Sequence, residues 1–145
     1  MAARMNAPLY TTEILRLAAS VEEPHQLERE DGRAEVRSPT CGSRVTTSVQ
    51  LSGEGRIAAL TQSVHACAFG QAASALLERG APGRSRREVD QAVKQLGDWL
   101  AGCDAEPHWP GLTALAPARS RTSRHGAVLL PFRALLAAID SAARD

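Results

Sequence analysis

Aromatic side chains are scarce in this 145-residue chain, with two Trp, two Phe and one Tyr. A core short of rings has to be filled by Ala, Leu, Val and Ile, which favours closely packed helices. Cysteine is sparse as well: three residues, an odd number at wide spacing, exclude a disulfide framework and fit free or metal-bound thiols in a reducing compartment. Charge of one sign is missing. Seventeen basic against sixteen acidic residues leave +1, too weak an overall field to argue for nucleic acid or an anionic membrane as a partner. Long apolar runs are absent too. The N-terminus carries no apolar stretch of secretory-signal length, and Ala127 to Phe132 is stopped by Arg133, well short of the roughly 18 residues of a membrane span. A cytoplasmic protein is expected, with no internal repeat and one domain over residues 1–145.

What is present has clear periodicity. Ile14, Leu15, Leu17, Ala18 and Val21 recur at helical spacing behind a capping Thr, with Glu13 suited to the first turn. A polar region, Glu22 to Gly32, ends in the turn pair Asp31-Gly32 and leads into a short strand, Ala34 to Arg37. From Arg44 to Leu51 the residues alternate, with Val45, Thr47, Val49 and Leu51 on one side and Thr46, Ser48 and Gln50 on the other. Ser52 to Gly55 turns the chain into a second segment, Arg56 to His65, completing a hairpin.

The pattern then becomes helical. Phe69, Ala72, Ala73, Leu76 and Leu77 define a helix from near Cys67, with Gly80 at its expected C-cap. Ser85 and Glu88 read as a capping box for a second helix to about Ala101, with Val89, Val93, Leu96 and Leu100 as its buried stripe. Pro107, Pro110 and Pro117 make residues 102–124 a loop with at most one helical turn near Leu112. A last helix, with Val128, Leu129, Phe132, Leu135, Leu136 and Ile139 on one face, is expected to start near Leu129, placing Pro131 in its first turn. Strands followed by helices give an α+β domain, a small three-stranded antiparallel sheet with helices packed on one face.

Three junctions hold chemistry: Pro39-Thr40-Cys41-Gly42-Ser43 before the main strand, His65-Ala66-Cys67 at the strand-to-helix change, and Arg124-His125-Gly126 before the last helix. A thiol in a turn meets solvent, and one at a helix N-terminus has its thiolate favoured by the helix dipole, so both can bind metal or accept sulfur. Against this stands the commonest fate of a free cysteine, a small buried hydrophobe, which is the reading preferred for Cys103. Arg119, Arg121 and Arg124 read most simply as a solvated loop, with docking of an acidic surface as the other option. Trp109 reads as a loop anchor, and His65 as an ordinary polar residue.

A Pro-x-Cys-Gly turn, a β-hairpin, a Cys opening an Ala- and Ser-rich helix, and a late His before the C-terminal helix occur here in that order. The chain in this respect resembles the IscU/NifU-type iron-sulfur cluster assembly scaffolds, over roughly Tyr10 to Ile139. The resemblance implies the NifU N-terminal fold and a non-enzymatic scaffold or carrier. It implies iron-sulfur cluster, iron or zinc binding through Cys41, Cys67 and His125, with a cysteine desulfurase and apo acceptor proteins as partners. Two positions depart from the family: Ser43 stands where its Asp would be and Gly126 where its third Cys would be. Cys103, His108, His65, a second subunit or an external thiol could complete the ligand set. The family's Leu-Pro-Pro-Val-Lys motif is answered only by Leu115-Ala116-Pro117-Ala118-Arg119. Two alternatives follow from the departures: a homologue that keeps the fold as an interaction module without a cluster, and a persulfide sulfur carrier.

Overall fold

The computed structural model describes residues 10–39 and 42–143, so Thr40 and Cys41 lie outside the described residues. Helix α1, Thr12–Ala19, starts where the Thr11 hydroxyl accepts the Ile14 N-H, and it buries Ile14 and Leu17. Leu15, grouped with the apolar set by spacing, points outward instead and is 51% exposed. Strands β1 (Gly32–Arg37), β2 (Arg44–Leu51) and β3 (Ile57–His65) form one antiparallel sheet in the order β1-β2-β3. Val45 pairs with Val64, Thr47 with Gln62 and Val49 with Leu60, so these side chains share the face that the helices cover.

The opposite face carries Thr46, Ser48, Thr61 and Ser63, and it is not simply solvated. Residues 22–31 cross it as a strap: the Ser48 hydroxyl donates to Glu30 (2.7 Å), the His25 N-H to the Thr61 hydroxyl (2.9 Å), and the Arg29 N-H to Gln50 (3.3 Å). Asp31 and Gly32, read as a turn, instead open β1. The Asp31 N-H donates to Val49 and its carboxylate accepts the Leu51 N-H, while a Cβ at Gly32 would collide with the Ala138 carbonyl. The glycine is there for close approach, not for a bend.

Helix α2 (Ala68–Gly80) begins beyond Cys67, and α3 (Arg86–Leu100) begins at Ser85 with the reciprocal Ser85/Glu88 capping box. Gly80 is the last helical residue rather than a left-handed cap. A Cβ there would meet the Trp109 indole at 2.5 Å. Trp109 is 2% exposed, donates from Nε1 to the Leu76 carbonyl (3.0 Å) and meets Phe132 edge to face, as a loop anchor should.

Two sequence readings need correction downstream. The proline-rich segment is more regular than a loop, since Leu112–Ser120 and Thr122–Arg124 are 3-10 helices; Leu112, Leu115 and Ala118 bury on the core, and that burial outweighs the N-H lost at Pro117. Helix α4 runs His125–Ala143, starting four residues before Leu129, so Pro131 lies inside it rather than in its first turn. Pro131 has no N-H to give the Ala127 carbonyl, and that carbonyl faces Gly70 of α2: a Cβ on Gly70 would lie 3.2 Å from it. A carbonyl left over by the proline thus faces a residue with no side chain, and the starts of α2 and α4 come together.

The core lies between the sheet and the helices. Val49 and Ile57 of the sheet meet Phe69, Leu76 and Leu77 of α2, Leu96 of α3 and Phe132 and Leu135 of α4. A smaller cluster packs Val45 on Leu130 and Ala134, with Val36 and Val64 beside it. The stretch Thr122–Ala142 is long and apolar enough to span a membrane by composition alone, and here 56% of its most apolar window is buried within the fold.

Candidate functional site

Three junctions converge on one end of the sheet. Arg37 pairs with Arg44 across the β1-β2 turn, and Arg44 pairs with His65 at the end of β3, so the turn and the entry to α2 are neighbours. Val45, next to Arg44, packs on Leu130 and Ala134 of α4, while Gly70 in the first turn of α2 packs on Ala127 of α4. The turn, the start of α2 and the start of α4 therefore surround the same end.

Within that arrangement Cys67 is the N-cap of α2 and is half-buried; its carbonyl accepts the Gln71 N-H at 2.9 Å and its sulfur caps nothing. The thiol makes no capping hydrogen bond, and the side chain packs against the edge of the hydrophobic core at the helix N-terminus. His125 is the first residue of α4. Its Nε2 lies 2.9 Å from the Ala118 carbonyl and 3.1 Å from the Arg119 carbonyl. Both neighbours are acceptors, so Nε2 must carry the hydrogen, and in the neutral ring Nδ1 keeps its lone pair. A ring nitrogen donating to backbone carbonyl while the other stays free is the usual posture of a metal-ligating histidine.

The turn itself is tightly closed at its base. The Ser38 N-H donates to the Ser43 carbonyl (2.8 Å) and the Gly42 N-H to the Ser38 carbonyl (3.2 Å), with Gly42 at φ +71°, the left-handed conformation that glycine adopts without strain. Cys41, expected as the first ligand, lies outside the described residues. Ser43 is 4% exposed and engaged, and Gly126 has no side chain, so neither replaces the carboxylate or thiolate of the resembling family. Among the described residues no group of three or more His, Cys, Asp or Glu is close enough to hold a metal ion.

The other candidate ligands disperse. Cys103 is exposed beyond the end of α3, not packed as expected, because the chain turns outward at Gly102 (φ +117°). His108 is exposed and held by Gln95, and His65 is exposed at the end of β3. The arginine loop also divides. Arg119 is structural: Nε donates to the Trp99 carbonyl (2.8 Å), Nη2 to the Cys103 carbonyl (2.9 Å), and the guanidinium lies over the Trp99 ring. The guanidinium thus caps a carbonyl in the last turn of α3 and one just beyond it, a role that spacing alone did not reveal. Arg121 and Arg124 have no carboxylate within ion-pair distance among the described residues.

Two other polar features lie away from this end. A cleft of about 510 Å³ beneath the strap is lined by His25, Arg29, Thr46, Ser48, Thr61 and Ser63, and by none of the candidate donors. Glu78 on α2 accepts the Glu22 N-H (2.8 Å) and the Gln62 amide (2.9 Å); its burial pushes the carboxyl above the ordinary range, and these bonds only partly oppose that.

No protein-family model and no curated protein matches the sequence. Solved structures do. The N-terminal NifU-like protein of Brucella abortus, described as nitrogen-fixing, superposes with a TM-score of 0.84 at 29% identity, covering 94% of this chain and 96% of that one. The chain has a NifU-like fold. A scaffold protein assigned to iron-sulfur cluster assembly in the SUF system of Fervidobacterium islandicum AW-1 shares the fold at TM-score 0.77 and 20% identity, over 90% of this chain and 96% of that one. A hypothetical protein shares it at TM-score 0.68 and 20% identity, over 88% of this chain. The NifU-like fold is the one that the sequence resemblance implied.

Proposed function

We propose that this NifU-like chain serves iron-sulfur cluster assembly as a scaffold or carrier, with Cys41, Cys67 and His125 as its protein donors and the cluster as cargo. The observation that carries the reading is His125, whose Nε2-H is held by two backbone carbonyls at the helix start that packs against the helix opened by Cys67. The fold likeness to a SUF-system scaffold and to a NifU-like protein supports the assembly role. Two thiolates and one imidazole are too few for a closed structural zinc site, which takes four protein ligands. An incomplete donor set suits a cluster that must arrive and leave, with exchangeable ligands from the sulfur donor, the acceptor or a small thiol in the open positions. The partners would be a cysteine desulfurase and apo iron-sulfur proteins of the cytoplasm, and the chain itself would catalyse nothing.

The test is iron and acid-labile sulfide content with the visible spectrum, on protein purified without oxygen and again after reconstitution. Comparison is with a Cys41→Ala, Cys67→Ala double variant. Iron and sulfide that disappear in the double variant support the scaffold reading; equal content in both removes these residues from it.

A second reading is favoured by Ser43 and Gly126, which offer neither carboxylate nor thiolate at the two departing positions. In it the fold persists as an interaction module and carries no cluster. Absence of iron and sulfide from both proteins, each folded, would select it over the first. A persulfide on Cys41 or Cys67, detected by mass spectrometry without iron, would select a sulfur carrier.

A further inference from the structure

The sheet has two edges, and they are built differently. Strand β1 carries a charge at every second residue, Arg33, Glu35 and Arg37, and α4 lies along it: the Arg33 N-H donates to the Ser141 hydroxyl (2.9 Å) and Gly32 lies against the Ala138 carbonyl. Strand β3 is the other edge. From Ile57 to Val64 it holds no charge, no proline and no glycine. Among the described residues, only Ile57 of β3 makes a backbone bond outside the sheet, to the Arg84 carbonyl (2.9 Å) and from the Gly83 N-H (2.8 Å). The rest of that edge offers unpaired backbone donors and acceptors, the template on which another strand can add.

The strap described above passes round this edge. The Glu22 N-H donates to Glu78 on the helix side of the sheet (2.8 Å) and the His25 N-H to the Thr61 hydroxyl on the opposite face (2.9 Å), so residues 22–25 wrap β3 near its middle. The strap carries what the strand lacks: four glutamates and an arginine among residues 22–30, with Pro24 at the crossing. Its attachment runs through side chains. Among the described residues no backbone group of 22–30 bonds another backbone group; Glu22, His25 and Arg29 donate to the side chains of Glu78, Thr61 and Gln50, and Glu30 accepts from Ser48. With a cleft of about 510 Å³ beneath it as well, such a segment opens locally without disturbing the core.

We infer that residues 22–30 are a removable guard on the edge of β3, and that the partner they hold off is a second copy of this chain, paired edge to edge through the same strand. Two β3 strands related by a two-fold axis run antiparallel and offer each other matching donors and acceptors, and the uncharged run from Ile57 to Val64 sets no like charges opposite one another. Because α4 closes the β1 edge, the pairing stops at a dimer. The guard is independent of any cluster and so goes beyond the scaffold reading.

The test loosens the strap in two ways. Thr61→Val with Glu78→Ala removes both tethers and leaves the edge uncharged; Thr61→Lys with Glu78→Ala removes the same tethers and places a charge on the strand. Amide hydrogen exchange at Glu22 and His25, followed by NMR, should accelerate about ten-fold or more in both proteins, with the β2 amides unchanged. In sedimentation velocity the native chain and the Thr61→Lys protein should stay monomeric, while the Thr61→Val protein dimerises about ten-fold or more tightly than either. A loosened strap without a dimer would overturn the guard. Equal association of both variants, or growth beyond a dimer, would overturn β3 as the interface, and unchanged exchange would overturn the tethers. If Glu78→Ala prevents folding, Thr61→Val and Thr61→Lys alone are read by the same outcomes.

Discussion

Replacing Arg119 by Ala should loosen the end of α3 and the posture of His125 together. The guanidinium makes a partly buried bond to the Trp99 carbonyl, a more exposed one to the Cys103 carbonyl, and a face contact with Trp99 at 5.1 Å. A charged bond to a partly buried carbonyl contributes about 1.5 kcal/mol, and an exposed one roughly 0.5 kcal/mol after screening. The ring contact adds about 0.5 kcal/mol. The expected loss is therefore about 2 to 3 kcal/mol in urea unfolding, or a fall in Tm of about 5–10 °C for a chain of this size. The backbone carbonyl of Arg119 is itself one of the two acceptors of His125 Nε2. Once its side chain no longer clasps α3, the carbonyl pair should drift. Long-range proton–nitrogen spectra of the histidine rings should then show a His125 that is less purely the Nε2-H tautomer. Arg119→Lys should recover little, because an ammonium cannot fork to two carbonyls. A loss below about 0.5 kcal/mol would refute the clasp, and an unaltered His125 spectrum in a destabilised variant would refute its coupling to the histidine.

Two further outcomes follow from the same structure. Gly126→Cys places a thiol in the first turn of α4, beside His125, and should raise zinc or iron bound per chain in protein prepared without oxygen; unchanged metal content in a folded variant would argue against a shared pocket with Cys67. Glu78 has its carboxyl pKa raised by burial, so its protonated form favours the folded state. That contribution is full below the ordinary carboxylate range and is lost as pH climbs through the raised value. The stability of the native chain relative to a Glu78→Gln variant should consequently fall as pH climbs out of the ordinary carboxylate range and through the raised value, and a difference that stays flat with pH would remove burial as the cause.

Local rules carried the sequence reading furthest where one interaction dominates. The alternation of Arg44 to Leu51 and the Ser85/Glu88 capping box both stand as read, since each depends on neighbours two or three residues away. Trp109 as an anchor also stood, because a buried indole in a proline-rich stretch has few other uses. Long-range facts were less legible. Pro131 inside α4 violates the local rule, and the Ala127 carbonyl, to which it cannot donate, lies against Gly70 across the core. Gly32 and Gly80 look like turn and cap residues from their neighbours, yet each is fixed by an atom far along the chain, the Ala138 carbonyl and the Trp109 ring. The same holds at the candidate site. The order of Cys41, Cys67 and His125 could be read directly, whereas the carbonyl pair on His125 and the commitment of Arg119 depend on how residues 112–124 fold back, which no spacing encodes.

The contact of Gly70 with Ala127 also constrains when the donor end can exist during synthesis. Cys67 emerges from the ribosome well before α3, the 3-10 segment and α4, and until Ala127 arrives there is nothing to set His125 beside the start of α2. Until α4 has docked, Cys67 stands at the start of α2 without His125 beside it. Any cargo held by both residues would therefore be loaded only after α4 has packed on α2.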